Sequence, residues 1–321
     1  VRWRHYRGHL VPGSDDVPAL AAVSRRYLAE ETAALAGDGG GTVSLSGFEG
    51  ITAVVTGAAR GIGRALATRL AAAGAAVVAV DIRGSDVERM AARLSAGGAR
   101  ALGVRCDVSS RAEVADLGRA VAAWSPGGVQ LLCNNAGVFT PRHAVTATHE
   151  DWEWVLGVCL WGTIHGIEEF LPGMVASGRP GHVLNTASMN GYIPNRNSAL
   201  YSAAKYAVVG LSETLRLELA STRVGVTVLA PSAVHTDIGT CEDVRPARFA
   251  RTREDPPDDP FADHGLAAAR QPGEVAALAL EGVLAGREVI FTDPVVGPLL
   301  DERHARVRAA VPTSPPGISP R

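Results

Sequence analysis

Six short apolar runs alternate with longer stretches of helical spacing, and this alternation limits the fold more than any other feature of the chain. The runs are 52–56, 76–81, 101–105, 129–134, 182–186 and 224–230. Each is bounded by turn residues and is short enough to be a buried strand. The segments between them, such as 62–73 and 86–96, place apolar residues on one helical face, with Ser85 expected to cap the second. Strands and helices in this order predict a doubly wound α/β domain, a parallel sheet covered by helices on both faces.

Composition narrows the function classes. Hydrophobic residues make up 46% of the 321 and charged residues 20%, which excludes a disordered chain. The net charge is −2, so there is no electrostatic case for a nucleic-acid or anionic-membrane partner. No run of 18 apolar residues is present, and no membrane span is expected. The basic start at 1–7 has no apolar region after it, which argues against a secretory signal. Cys106, Cys133, Cys159 and Cys241 form no C-x-x-C pair, so no disulfide framework or metal site is expected, and a cytoplasmic setting fits reduced thiols.

Three zones are expected. Residues 1–47 form an appendage with one helix, 17–35, and a glycine-rich linker at 39–41. Residues 48–295 form the α/β domain. Within it, 241–265 is charged and proline-rich and reads as a mobile substrate loop, followed by a helix at 272–285 and a strand at 288–292. Residues 296–321 hold a last helix, 300–310, and a proline-rich tail.

The first strand runs into Thr56-Gly57-Ala58-Ala59-Arg60-Gly61-Ile62-Gly63, and a helix begins at once. Glycine lets backbone approach a phosphate, and a helix N-terminus offers it free N–H groups and a positive dipole end. The spacing is G-x-x-x-G-x-G, and tight packing alone could explain such a cluster. Asp81, at the end of the second strand and eighteen residues beyond Gly63, adds context. A carboxylate there accepts hydrogen bonds from an adenosine ribose and repels a 2′-phosphate. Arg60, inside the turn, would favour the phosphate. NAD(H) is therefore expected over NADP(H), with NADP(H) left open.

Tyr201 and Lys205 stand four residues apart at the start of an amphipathic helix and share one face. An ammonium beside a phenol favours the phenolate, so the tyrosine could exchange a proton with a substrate oxygen. On spacing alone such a pair is more often solvated. Ser188, thirteen residues before Tyr201 at the C-terminal end of a buried strand, stands where open α/β sheets bind ligands. A turn cap is its ordinary role.

Taken together, these residues resemble the short-chain dehydrogenase/reductase family. The likeness rests on Thr56 to Gly63, Asp81, Cys106-Asp107-Val108, Asn134-Asn135-Ala136-Gly137, Ser188, Tyr201-x-x-x-Lys205 and Pro231 to Thr236, in the family's order. The resemblance implies a Rossmann fold, a nicotinamide cofactor and Ser–Tyr–Lys catalysis. It implies that Gly57, Arg60, Gly61, Ile62 and Gly63 hold the cofactor's phosphates. Asp107 and Val108 would flank the adenine, and Asn135, Ala136 and Gly137 would line the cofactor. Pro231, Val234 and Thr236 would lie at the nicotinamide, and Lys205 would hold its ribose. On this likeness Tyr201 is the general acid/base, Lys205 lowers its pKa, and Ser188 orients the substrate oxygen. The expected substrate is a small apolar secondary alcohol or ketone, in a pocket built from 189–197, 233–241 and the loop to Phe261.

The chain departs from the family pattern at two positions. Cys159 stands where the family usually has the Asn that holds a proton-relay water, and Ser232 where it usually has Gly. A catalytically impaired dinucleotide-binding protein is the alternative they leave open. A weaker likeness joins residues 7–12 to the end of an α/β-hydrolase domain, with His9 at its triad position. No G-x-S-x-G elbow precedes it, so 1–47 reads as a remnant. Finally, the helix through 152–161 is apolar almost all round, which predicts a homodimer or homotetramer.

Overall fold

The computed structural model describes residues 3–6, 9–12, 45–251 and 269–311. The helix expected at 17–35, the glycine linker, loop residues 252–268 and the proline-rich tail lie outside the described residues. The chain divides into two compact units, Val1–Thr42 and Val43–Arg321. In the first, β1 (Trp3–Tyr6) pairs antiparallel with β2 (His9–Pro12), a hairpin that the pattern of apolar residues did not predict.

The second unit carries seven parallel strands: β3 (Thr52–Thr56), β4 (Ala76–Asp81), β5 (Ala101–Arg105), β6 (Leu131–Asn134), β7 (Gly181–Thr186), β8 (Val224–Ala230) and β9 (Val289–Phe291). Their order in the sheet is β5-β4-β3-β6-β7-β8-β9, which reverses direction between β3 and β6. That crevice is where a doubly wound sheet binds ligands.

Eight helical segments flank the sheet: α1 (Gly61–Ala72), α2 (Gly84–Ala96), α3 (Arg111–Trp124), α4 (His149–Leu156), α5 (Gly162–Ala176), α6 (Ala199–Glu218), α7 (Pro272–Leu284) and α8 (Val296–Ala309). Alternate strand residues serve opposite faces. Val55, Val77 and Ala79 join Leu66, Leu70, Val87 and Val275 in one core. Val54, Val78 and Val80 join Val114, Leu117, Phe170 and Leu215 in the other. This two-sided burial explains why the strands read as continuous apolar runs.

Three local readings are corrected. Ser85 does not cap α2, because the helix starts two residues earlier, at Gly84, and Arg83 holds the cap position without a side-chain bond. The described part of the substrate loop is not without structure: Asp237–Val244 and Ala247–Phe249 form 3₁₀ turns. The helix through 152–161 is interrupted by a π-helical turn, Gly157–Trp161, between α4 and α5. Much of its surplus apolar surface is covered within the chain. Trp154, Val155 and Cys159 pack with Val244 and Phe249 from those turns, although Trp161 stays half exposed.

Candidate active site

Thr56, the last residue of β3, organises the crevice. Its hydroxyl donates to the Cys133 carbonyl and accepts from the backbone N–H groups of Asn135 and Ala136. The Asn135 side chain donates back to the Thr56 carbonyl at 3.0 Å. These bonds lock the ends of β3 and β6 together across the reversal. The chain then turns through Gly57 and Gly61, both at positive φ, as a non-glycine residue would resist. Gly63 is required by packing: a Cβ there would lie 2.1 Å from the Gly57 carbonyl oxygen.

A cavity of about 490 Å³ opens over this turn. Of the cofactor residues expected from sequence, Gly57, Arg60, Gly61, Ile62, Asp81, Asp107, Val108, Asn135, Ala136, Gly137, Pro231, Val234 and Thr236 all line it. Gly63 does not, and so serves the turn from behind rather than the wall. Ser188, Tyr201 and Lys205 line the same cavity.

Each polar group on the wall is held in place. Asp81 accepts from the backbone N–H groups of Ala59 and Arg83, both at 3.0 Å. Burial raises its pKa, opposed by those two bonds and by the charge of Arg83. Asp107 accepts from the backbone and hydroxyl of Ser109 and from Arg248 at 2.5 Å.

At the other end, Ser188 accepts from the Asn190 N–H at 3.1 Å and donates to the Pro231 carbonyl at 3.4 Å, and its hydroxyl, near the Tyr201 phenol, favours the phenolate. Lys205 is buried, with Nζ donating to the Thr186 carbonyl at 2.7 Å and lying 5.4 Å from the Tyr201 ring centroid. The expected depression of the tyrosine pKa is not found. Burial raises it above the ordinary phenol value, neighbouring Cys159 and Cys241 add to the rise, and only the Ser188 hydroxyl opposes it. The phenol is therefore loaded with its proton at neutral pH. Burial also lowers the Lys205 pKa.

Both departures from the family pattern are absorbed locally. Cys159 is fully buried, accepting from the Val138 N–H at 3.4 Å and donating to the Val138 carbonyl at 3.2 Å. Cys241 holds Phe139 in the same way, and the Phe139 ring meets Tyr201 edge-on at 5.1 Å. Ser232 needs no left-handed backbone, since Asn197 is the one non-glycine residue at positive φ among those described. Phe139, Trp154, Val158 and Val244 complete the apolar wall; Val244 lies in the loop expected to build the pocket, and sequence reasoning missed the other three. Phe139 lies far from the expected pocket segments, and the apolar helix carrying Trp154 and Val158 was read as an interface.

A family model for the short chain dehydrogenases matches residues 51–244. The chain belongs to that family. The short-chain dehydrogenase is 36% identical over 208 residues to the C alpha-dehydrogenase of Sphingobium sp., covering 64% of this chain and 67% of that one. It is 39% identical over 187 residues to the 1-deoxy-11-beta-hydroxypentalenate dehydrogenase of Streptomyces avermitilis, covering 58% and 69%. Its fold matches the crystal structure of a short chain dehydrogenase/reductase from Burkholderia phymatum in complex with NAD. The TM-score is 0.77 and the identity 33%, over 84% of this chain and 98% of that one. As a member, this chain is an NAD(P)-dependent oxidoreductase acting on CH–OH groups. Among the described residues no helix is long and apolar enough to cross a membrane, and no cluster could hold a metal ion.

Proposed function

We propose that the enzyme interconverts an apolar secondary alcohol and its ketone through Ser188, Tyr201 and Lys205, with NAD(H) preferred. The observation that carries this is the meeting, on the wall of one cavity, of Ser188, Tyr201 with Lys205 Nζ 5.4 Å from its ring, and the glycine turn with Asp81. The residues present fit a dinucleotide. Gly57 and Gly61, at positive φ in the turn that leads into α1, would receive its phosphates, and Asp81, held by two N–H groups, would accept from its ribose.

The nicotinamide, when bound, supplies or accepts the hydride. Ser188 holds the substrate oxygen by its hydroxyl. Tyr201, protonated at neutral pH, donates its proton to that oxygen in the reductive direction and takes it back in the oxidative one. Lys205 places a positive charge near the ring, which favours the phenolate as the proton leaves. Cys159 uses both its bonding capacities on Val138, so the ammonium's fixed partner is the Thr186 carbonyl. Trp154, Val158, Met189, Ile238 and Val244 make the substrate side apolar and supply few groups to pair with a charged substrate.

The half-exposed Trp161 on the α4–α5 helix supports a homodimer or homotetramer, and four buried, unpaired thiols support a cytoplasmic setting. The break at Thr42 supports reading 1–47 as an appendage to the 48–295 domain. The experiment is a panel of apolar secondary alcohols and ketones, followed by the absorbance of the reduced nicotinamide in wild type and Tyr201→Phe. Turnover in the wild type that vanishes in the variant is expected. Cofactor binding without turnover of any member would favour the impaired-protein reading instead.

A further inference from the structure

The segment Asp237–Val244 lines the cavity and also reaches the glycine turn and the end of β4. Asp237 lies 3.6 Å from Arg60, Asp243 lies 2.7 Å from Arg83, and Arg248 donates to Asp107. These ion pairs tie the 3₁₀ turns of the loop to the glycine turn and to the ends of β4 and β5. Arg60 and Arg83 are the two arginines on the cavity wall among the described residues, and the Arg83 backbone N–H donates to Asp81. Asp86 also lies 3.6 Å from Arg60.

We propose that Asp243, supported by Asp237, makes the substrate loop a determinant of cofactor choice: its carboxylates occupy the arginines that a 2′-phosphate would need. A 2′-phosphate is recognised by cations, above all by the guanidinium fork of arginine. Here each candidate fork already faces a loop carboxylate. An incoming phosphate therefore meets Asp81, Asp237 and Asp243 against two arginines that are both engaged. Discrimination is thus shared between the strand-end carboxylate and a segment that also walls the substrate pocket through Ile238, Cys241 and Val244. Binding of a 2′-phosphate competes with Asp243 for Arg83, so NADP(H) would loosen the Asp237–Val244 turn on the pocket wall and raise the KM for the alcohol or ketone.

The inference rests on placing the adenosine ribose at Asp81, and its test separates the two. NADH and NADPH are titrated by fluorescence into the full chain as wild type, Asp243→Asn, Arg83→Ala, the double variant and Asp81→Ala. Asp243 is more than half exposed, so its loss leaves the core intact. Asparagine keeps the shape and removes the charge. At the separations of neighbouring surface charges, release of the Arg83 guanidinium to a phosphate dianion lowers the ratio Kd(NADPH)/Kd(NADH) by about tenfold at low salt. The same change in the Arg83→Ala background should leave the ratio unmoved. A ratio unchanged in Asp243→Asn overturns the proposal, as does an equal fall with Arg83 already removed. A ratio unchanged in Asp81→Ala defeats the ribose assignment itself, and this inference with it.

Discussion

Replacing Asp151 by Asn should destabilise the fold by about 3 kcal/mol, at the lower edge of the range for breaking a buried ion pair. Asp151 is fully buried at the first turn of α4, where it completes a capping box with Thr148. Its Oδ1 accepts from Arg245 at 2.6 Å and from Arg251 at 2.8 Å, and Oδ2 lies 4.0 Å from Arg142 Nε. Arg142 and Arg245 are themselves nearly buried, with side-chain exposures of 4% and 6%. Neutralising the carboxylate leaves that positive charge without its main partner. Two features hold the effect to the lower edge. Glu242 also pairs with Arg245 and Arg251, and Arg251 is 20% exposed and can turn to water. A loss of that size lowers the melting temperature of a domain this large by about 5 °C. Urea unfolding followed by circular dichroism measures it directly. The pH dependence gives a second reading. Burial alone would raise the Asp151 pKa, but the bonds from Arg251, Arg245 and the Thr148 backbone outweigh it and hold it below the ordinary value. Its contribution is therefore complete above the unfolded-state pKa near 4 and is lost only as the pH falls through the lower folded value. A variant as stable as wild type at pH 7, with an unchanged urea slope, would refute the reasoning. It would show that the arginines find equal partners elsewhere.

Tyr201→Phe should lower kcat by roughly 10²–10⁴-fold, the usual contribution of a general acid/base, while the dissociation constant for NADH stays near that of wild type. Steady-state kinetics and cofactor titration check both halves, and an unchanged kcat would remove Tyr201 from the mechanism. Gly63→Ala should abolish detectable cofactor binding in calorimetry, because its Cβ would meet the Gly57 carbonyl, which is backbone and cannot swing aside. His182 is buried against Thr227 and its pKa is pushed down to about 4 by burial and by the charge of Arg216. Folding should therefore weaken as the pH falls from about 6.5 towards 4, by roughly 3 kcal/mol in all. Urea titrations across that range should show a smaller slope in His182→Gln. Cys159→Ser should keep kcat close to wild type, since the hydroxyl can make both Val138 bonds and the Lys205 partner is untouched. A large fall in the kcat pH profile would place the thiol on the proton path.

Much of this molecule was determined by near-neighbour sequence. The parallel sheet followed from runs buried on both faces, and β3, β4, β5 and β8 have the bounds that their apolar residues predict. The glycine turn and the Tyr201–Lys205 pair were legible because each depends on spacing within one turn or one helix, and Asp81 because it ends the next strand. The tertiary structure alone decided the rest. The surroundings of Tyr201 reversed the expected pKa shift, since burial by distant segments raises it. The clamp on Asp151 joins it to Arg251 across 100 positions, and Arg248 reaches Asp107 across 141. Such contacts leave no periodicity in the sequence. A charged, proline-rich segment looks the same whether it is solvated or tied down by ion pairs, and only folding brings the partner charges within reach.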